Sequence, residues 1–131
     1  MKPEIAALWI SGMSLVLQAV SMIPRDPKKR TPEDEDALLA VSDAYYTTNA
    51  YYAFLEKNPR DSGKEWDIAR KWERAAVLLD KYDSSLSERL NAKSQYWRSG
   101  GTWSEDTIQK AGIGLERIKK EVDDRLTKGK G

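Results

Sequence analysis

The chain has no cysteine and no histidine. Without cysteine there is no disulfide framework and no thiol chemistry; without histidine, Cys–His and Ser–His–Asp nucleophile systems cannot be built. The usual Cys/His zinc sites and the Glu-x-x-His helices of di-metal carboxylate proteins fall with them. A net charge of one sign is missing too. Lys and Arg total 22 against 21 Asp and Glu, and the balance of +1 is too small to steer a polyanion. There is no glycine-rich phosphate loop: Gly112-Ile113-Gly114-Leu115-Glu116 is a fragment with no strand before it. Strand-like alternation and internal repeats are also absent.

What remains is a chain of 131 residues, one domain's worth, with one third of its residues charged and 40% hydrophobic. That is the composition of a soluble globular protein. The lack of cysteine fits a reducing compartment, so a cytoplasmic location is expected.

From Ile5 to Ile23 there is no charge for 19 residues, long enough to suggest a membrane span. Glu4, Ser11, Ser14, Gln18 and Ser21 recur within and beside it at helical spacing and make a polar stripe. A lipid-facing helix has no need of such a stripe. The run therefore reads as an amphipathic helix with Ile5, Trp9, Val16, Val20 and Ile23 toward the core. Ile10 and Leu17 fall on one flank, Leu8 and Leu15 on the other.

Periodicity and punctuation predict four helices, at about 3–23, 32–57, 63–98 and 103–127, in a single domain spanning 1–131. A basic linker at 24–31 separates the first two, and 128–131 reads as a frayed tail. Thr31-Pro32 followed by acidic residues is a helix start. Leu38, Val41, Tyr45, Thr48, Tyr52 and Leu55 then form a packing seam, and Asn58-Pro59 stops it. A capping box at Ser62–Glu65 opens the third helix, whose seam runs Trp66, Ala69, Trp72, Ala76, Leu79, Leu86, Leu90, Trp97, with a bend near Asp83–Ser85. Another box at Thr102–Glu105 opens the fourth, with a seam of Ile108, Ala111, Leu115, Ile118 and Val122. Glu116–Lys120 and Glu121–Arg125 pairs support its outer face. Short connections between long amphipathic helices imply an all-α fold, an up-down four-helix bundle.

Two chemistries deserve a test against geometry. Glu33 with Asp36, and Glu121 with Asp124, look like acidic metal-holding pairs of all-helical nucleotide hydrolases. In an up-down order they lie at opposite poles, so no metal or cofactor is expected and the chain reads as non-enzymatic. The interleaved Trp and Lys/Arg of 64–74 and 93–98 use the alphabet of single-strand binders. Trp66 and Trp72 lie about 120° apart on a helix, so they make no common stacking platform, and nucleic acid is not an expected partner.

The remaining signal is surplus apolar and aromatic surface. Residues 42–55 hold four tyrosines, Tyr45, Tyr46, Tyr51 and Tyr52, and the only phenylalanine, Phe54. Tyr45 and Tyr52 fall on the seam, whereas Tyr46, Tyr51 and Phe54 point elsewhere. Ile10, Leu17, Leu39, Tyr46, Tyr51 and Phe54 are therefore the candidate protein interface. The expected function is a protein-interaction module such as an adaptor, inhibitor, immunity-type protein or accessory subunit, binding another protein or itself. The alternative is a membrane-associating bundle that uses the first helix, with Arg25, Lys28, Lys29 and Arg30 meeting an anionic surface.

Overall fold

Thr31 opens a helix as the sequence predicts. Its hydroxyl accepts the Asp34 N–H at 3.2 Å, and the Asp34 carboxylate accepts the Thr31 N–H at 3.0 Å. This is a capping box built with Asp in place of the usual Glu. The computed structural model describes residues 14–84 and 105–128, with side chains for 14–84 and 114–126. The described residues are all-helical: α1 (14–21), a 3-10 turn (Pro27–Lys29), α2 (Pro32–Leu55), α3 (Ser62–Leu78) and α4 (Glu105–Lys128).

The α2 seam is buried at Leu38, Val41, Tyr45, Thr48 and Tyr52, with Leu55 half-buried. Val16, Val20 and Ile23 meet it from the first segment, as do Leu115, Ile118 and Val122 from α4. Each fully buried Val, Leu or Ile contributes about 1.5–3 kcal/mol relative to an exposed one. The exposed residues Ser14, Gln18 and Ser21 confirm the polar stripe of α1 over its described part.

Cross-helix bonds show that α2 and α3 run antiparallel. Tyr51 meets Glu65, Thr48 meets Trp72, and Asp34 meets Lys81. The Trp72 indole N–H donates to the Thr48 hydroxyl at 2.8 Å, and that hydroxyl donates to the Ala44 carbonyl at 2.7 Å. A fully buried tryptophan thus keeps its one polar atom satisfied.

Three expectations change. The third helix starts from Asp61, whose carboxylate accepts the Lys64 N–H at 3.1 Å; Ser62 is already helical. Its seam is Glu65, Ile68, Ala69, Trp72, Ala75, Ala76 and Leu79, which leaves Trp66 on the outside at 47% exposure. It also stops at Leu78 instead of running to 98. The reason is tertiary: Leu79 is buried, and Lys81 and Tyr82 both bind the Asp34 carboxylate, turning the chain over the start of α2. The residues expected to continue that seam, Leu86 to Trp97, lie outside the described residues, as do Ile5, Ile10 and the Thr102 box.

The described residues bear out the all-helical class; the up-down four-helix order runs through 85–104, which lie outside them. Arg125, near the end of α4, bonds the Ser21 and Ile23 carbonyls at the end of α1. These two ends therefore lie at the same pole.

Replacing Thr48 with Val should cost about 1–3 kcal/mol in urea unfolding, because the Trp72 N–H loses its buried acceptor. Adding Trp72→Phe should cost less than the two single losses summed, since the orphaned donor is removed with its acceptor. Strict additivity would break this account of the bond.

Candidate functional site

Each of three helix ends carries a buried charge. At the start of α2, Asp34 is 3% exposed. Its carboxylate takes the Thr31 N–H, the Tyr82 hydroxyl and the Lys81 ammonium, the last at 2.6 Å. Burial alone would raise its pKa, but Lys81 and Thr31 outweigh burial and hold it below the usual carboxylate range.

At the start of α3, Glu65 is fully buried. It accepts two bonds from the Arg60 guanidinium, at 2.6 and 2.9 Å, and one from the Tyr51 hydroxyl at 2.5 Å. The Tyr51 oxygen in turn accepts the Asp61 N–H at 3.0 Å. The bond to Glu65 raises the Arg60 pKa above its ordinary value.

At the end of α4, the Arg125 guanidinium is buried and donates to the Ile23, Ser21 and Glu121 carbonyls at 2.9–3.0 Å. It also pairs with the Glu121 carboxylate at 2.7 Å. All three are structural positions, and the Glu121–Arg125 pair forms with Arg125 buried rather than on the outer face expected of it. Asp34 lies one turn before Ala37 and Leu38, Glu65 one turn before Ile68, and Arg125 one turn after Val122. Each extends an apolar stripe by one turn.

The candidate interface residues separate. Leu39 and Tyr46, seven positions apart on one face of α2, are 58% and 52% exposed. The Tyr46 ring packs edge-on against Tyr45, with centroids 5.0 Å apart. Tyr51 does not belong to that surface. It is 3% exposed because Glu65 and the Asp61 N–H draw its hydroxyl inward. Phe54 is half-buried, stacked on Tyr51 at 5.8 Å and covered by the Lys64 ammonium. Leu17 is half-buried against the core, and Ile10 lies outside the described residues. Trp66 and Val77, on one side of α3, were not foreseen as exposed apolar residues.

The basic linker is only partly free. The Arg30 side chain is 2% exposed, held by Glu35 at 2.8 Å and by the Pro24 and Arg25 carbonyls, so it cannot meet a lipid surface. Arg25 pairs with Glu121 at 3.6 Å, while Lys28 and Lys29 are exposed on the 3-10 turn. Arg25 and Arg30 also bring the Glu35 and Glu121 ends together, so the opposite-pole argument for the acidic pairs fails. Even so, among the described residues no three Asp or Glu side chains converge on a metal position. Trp72 is buried and Trp66 exposed, and they share no face.

A cleft of about 630 Å³ lies between α1 and α4, lined by Ser14, Leu15, Leu17, Gln18 and Ser21 from one helix and by Arg117, Lys120 and Glu121 from the other. The expected Glu116–Lys120 pair is not formed. Glu116 instead accepts the Tyr45 hydroxyl at 3.1 Å. Among the described residues no helix is long and apolar enough to cross a membrane. No protein-family model matches the chain, and neither the curated proteins nor the solved structures hold a match to it.

Two pH responses follow. The lowered Asp34 pKa stabilises the fold fully above its ordinary value of 3.8, and this contribution is lost as pH falls through the lowered native value. Asp34→Asn should cost about 1–3 kcal/mol at neutral pH and flatten the acid limb of a urea-stability profile. A variant with the same acid limb as the parent would refute it. Burial, then the bonds to Glu116 and Glu65, push Tyr45 and Tyr51 up to about 12 from 10.0. Their contribution is full below 10 and is lost as pH rises through 12. Tyrosinate absorbance should show a late-ionising class that shrinks in Tyr51→Phe.

Proposed function

We propose that this chain is a non-catalytic helical interaction module that binds another protein, or a second copy of itself, through the outward face of α2. The observation that carries the reading is the pair Leu39 and Tyr46, large apolar side chains on one helix face, each more than half exposed. Single exposed apolar residues are ordinary, but two in register on a rigid helix make a contact strip. Tyr is favoured at such contacts because its ring buries area at little entropic cost while its hydroxyl stays wet. The strip is preorganised: Tyr45 braces Tyr46, and the Thr48–Trp72 bond fixes α2 on α3.

The alternative, release of the first helix onto an anionic membrane, has less to support it. It would withdraw Val16, Val20 and Ile23 from the core and break the Arg125 bonds.

The test is a comparison of the full chain with Leu39→Glu/Tyr46→Glu, by crosslinking capture in its native lysate and by sedimentation of the purified protein. The expected outcome is a captured partner, or a dimer, that the parent forms and the variant loses. Because both residues are exposed, stability should change by less than about 0.5 kcal/mol per site. Identical association by the two proteins, or none by either, would overturn the assignment.

A further inference from the structure

The cleft between α1 and α4 shares no residue with the α2 strip, and its chemistry is different. We infer that it binds a small amphipathic anion, with a carboxylate or phosphate head on Arg117 and Lys120 and an apolar tail against Leu15 and Leu17.

Charge placement is the first argument. Arg117 and Lys120 stand three residues apart on α4, so their side chains rise from one face. Both are exposed, and neither has an ion-pair partner among the described residues, because Tyr45 has drawn Glu116 away from Lys120. The one acid on the cleft wall, Glu121, is already committed to Arg125 at 2.7 Å and Arg25 at 3.6 Å. An incoming anion therefore meets two uncompensated cations and one neutralised carboxylate. A guanidinium fork beside an ammonium suits a planar carboxylate or a phosphate.

The opposite wall supplies the second argument. Gln18 of α1 faces the cleft, and its amide can donate to the same head group. The Ser21 hydroxyl cannot, since it donates to the Gln18 carbonyl at 2.6 Å. Leu15 and Leu17 are half-buried, one on each flank of the α1 polar stripe, and these apolar margins of the cleft are ones that a purely ionic ligand would leave wet. The volume of about 630 Å³ lies within the roughly 300–1,000 Å³ of small-molecule sites. Polar donors between apolar margins select an amphiphile over a free inorganic ion.

The test titrates the full chain with decanoate and with decyl phosphate below their micelle concentrations. Acetate and decyltrimethylammonium serve as controls. Calorimetry reads affinity, and amide chemical shifts read location. One of the two anions should bind saturably, shifting amides in 14–21 and 114–121, and the tighter of the two names the head group. Arg117→Gln/Lys120→Gln changes only exposed positions and should weaken binding by about tenfold or more. Leu39→Glu/Tyr46→Glu should leave it unchanged, which separates this site from the α2 strip. The inference is overturned by any of four results: no saturable binding by either amphiphile, equal binding of the cationic amphiphile, full affinity in the Arg117/Lys120 variant, or shifts confined to other residues.

Discussion

A helix end leaves backbone groups unpaired, and a helix end that is buried must find partners for them. This constraint governs how the helices of this chain meet. Arg125 is its clearest case. One guanidinium takes the carbonyls of Ser21 and Ile23, where α1 ends, and is itself neutralised by Glu121. The sign is right for the position, since a cation is favoured at a helix C-terminus. Asp34 and Glu65 are the acidic counterparts at the starts of α2 and α3. Removing one partner from such a buried set is costlier than the net worth of the set, because it strands a charge.

These charges also account for the surfaces. Tyr51 is drawn inward by Glu65, so the Tyr-rich stretch divides: Tyr45, Tyr51 and Tyr52 serve the core, and Tyr46 is left outside with Leu39. Glu116 turns to Tyr45, and Lys120 is left without its helical partner beside Arg117. The Tyr45–Glu116 bond thus leaves Lys120 uncommitted, and the Tyr51–Glu65 bond separates Tyr51 from Tyr46. The α2 strip and the α1–α4 cleft are places where such side chains gather.

Much of the local structure was legible in the sequence. The Thr31-Pro32 start, the α2 seam and the core-facing Val16, Val20 and Ile23 follow from period and capping chemistry alone. Trp66 was misplaced because a seam read only from apolar residues skipped Glu65, the charged residue that truly lies on it. The third helix was drawn too long because its apolar phase continues past Leu78, and period cannot register a distant pull such as that of Asp34 on Lys81 and Tyr82.

The sequence by itself determined that the described residues are helical, where α2 begins, and the lack of Cys/His chemistry, because helix period and capping act within a few residues. The tertiary structure alone decided which carboxylate meets which cation, which tyrosines are exposed, and which end of α4 meets α1. Those choices depend on contacts between positions as far apart as Ser21 and Arg125. A local pattern can mark a charge as lying on a seam, but only packing shows whose backbone or side chain satisfies it.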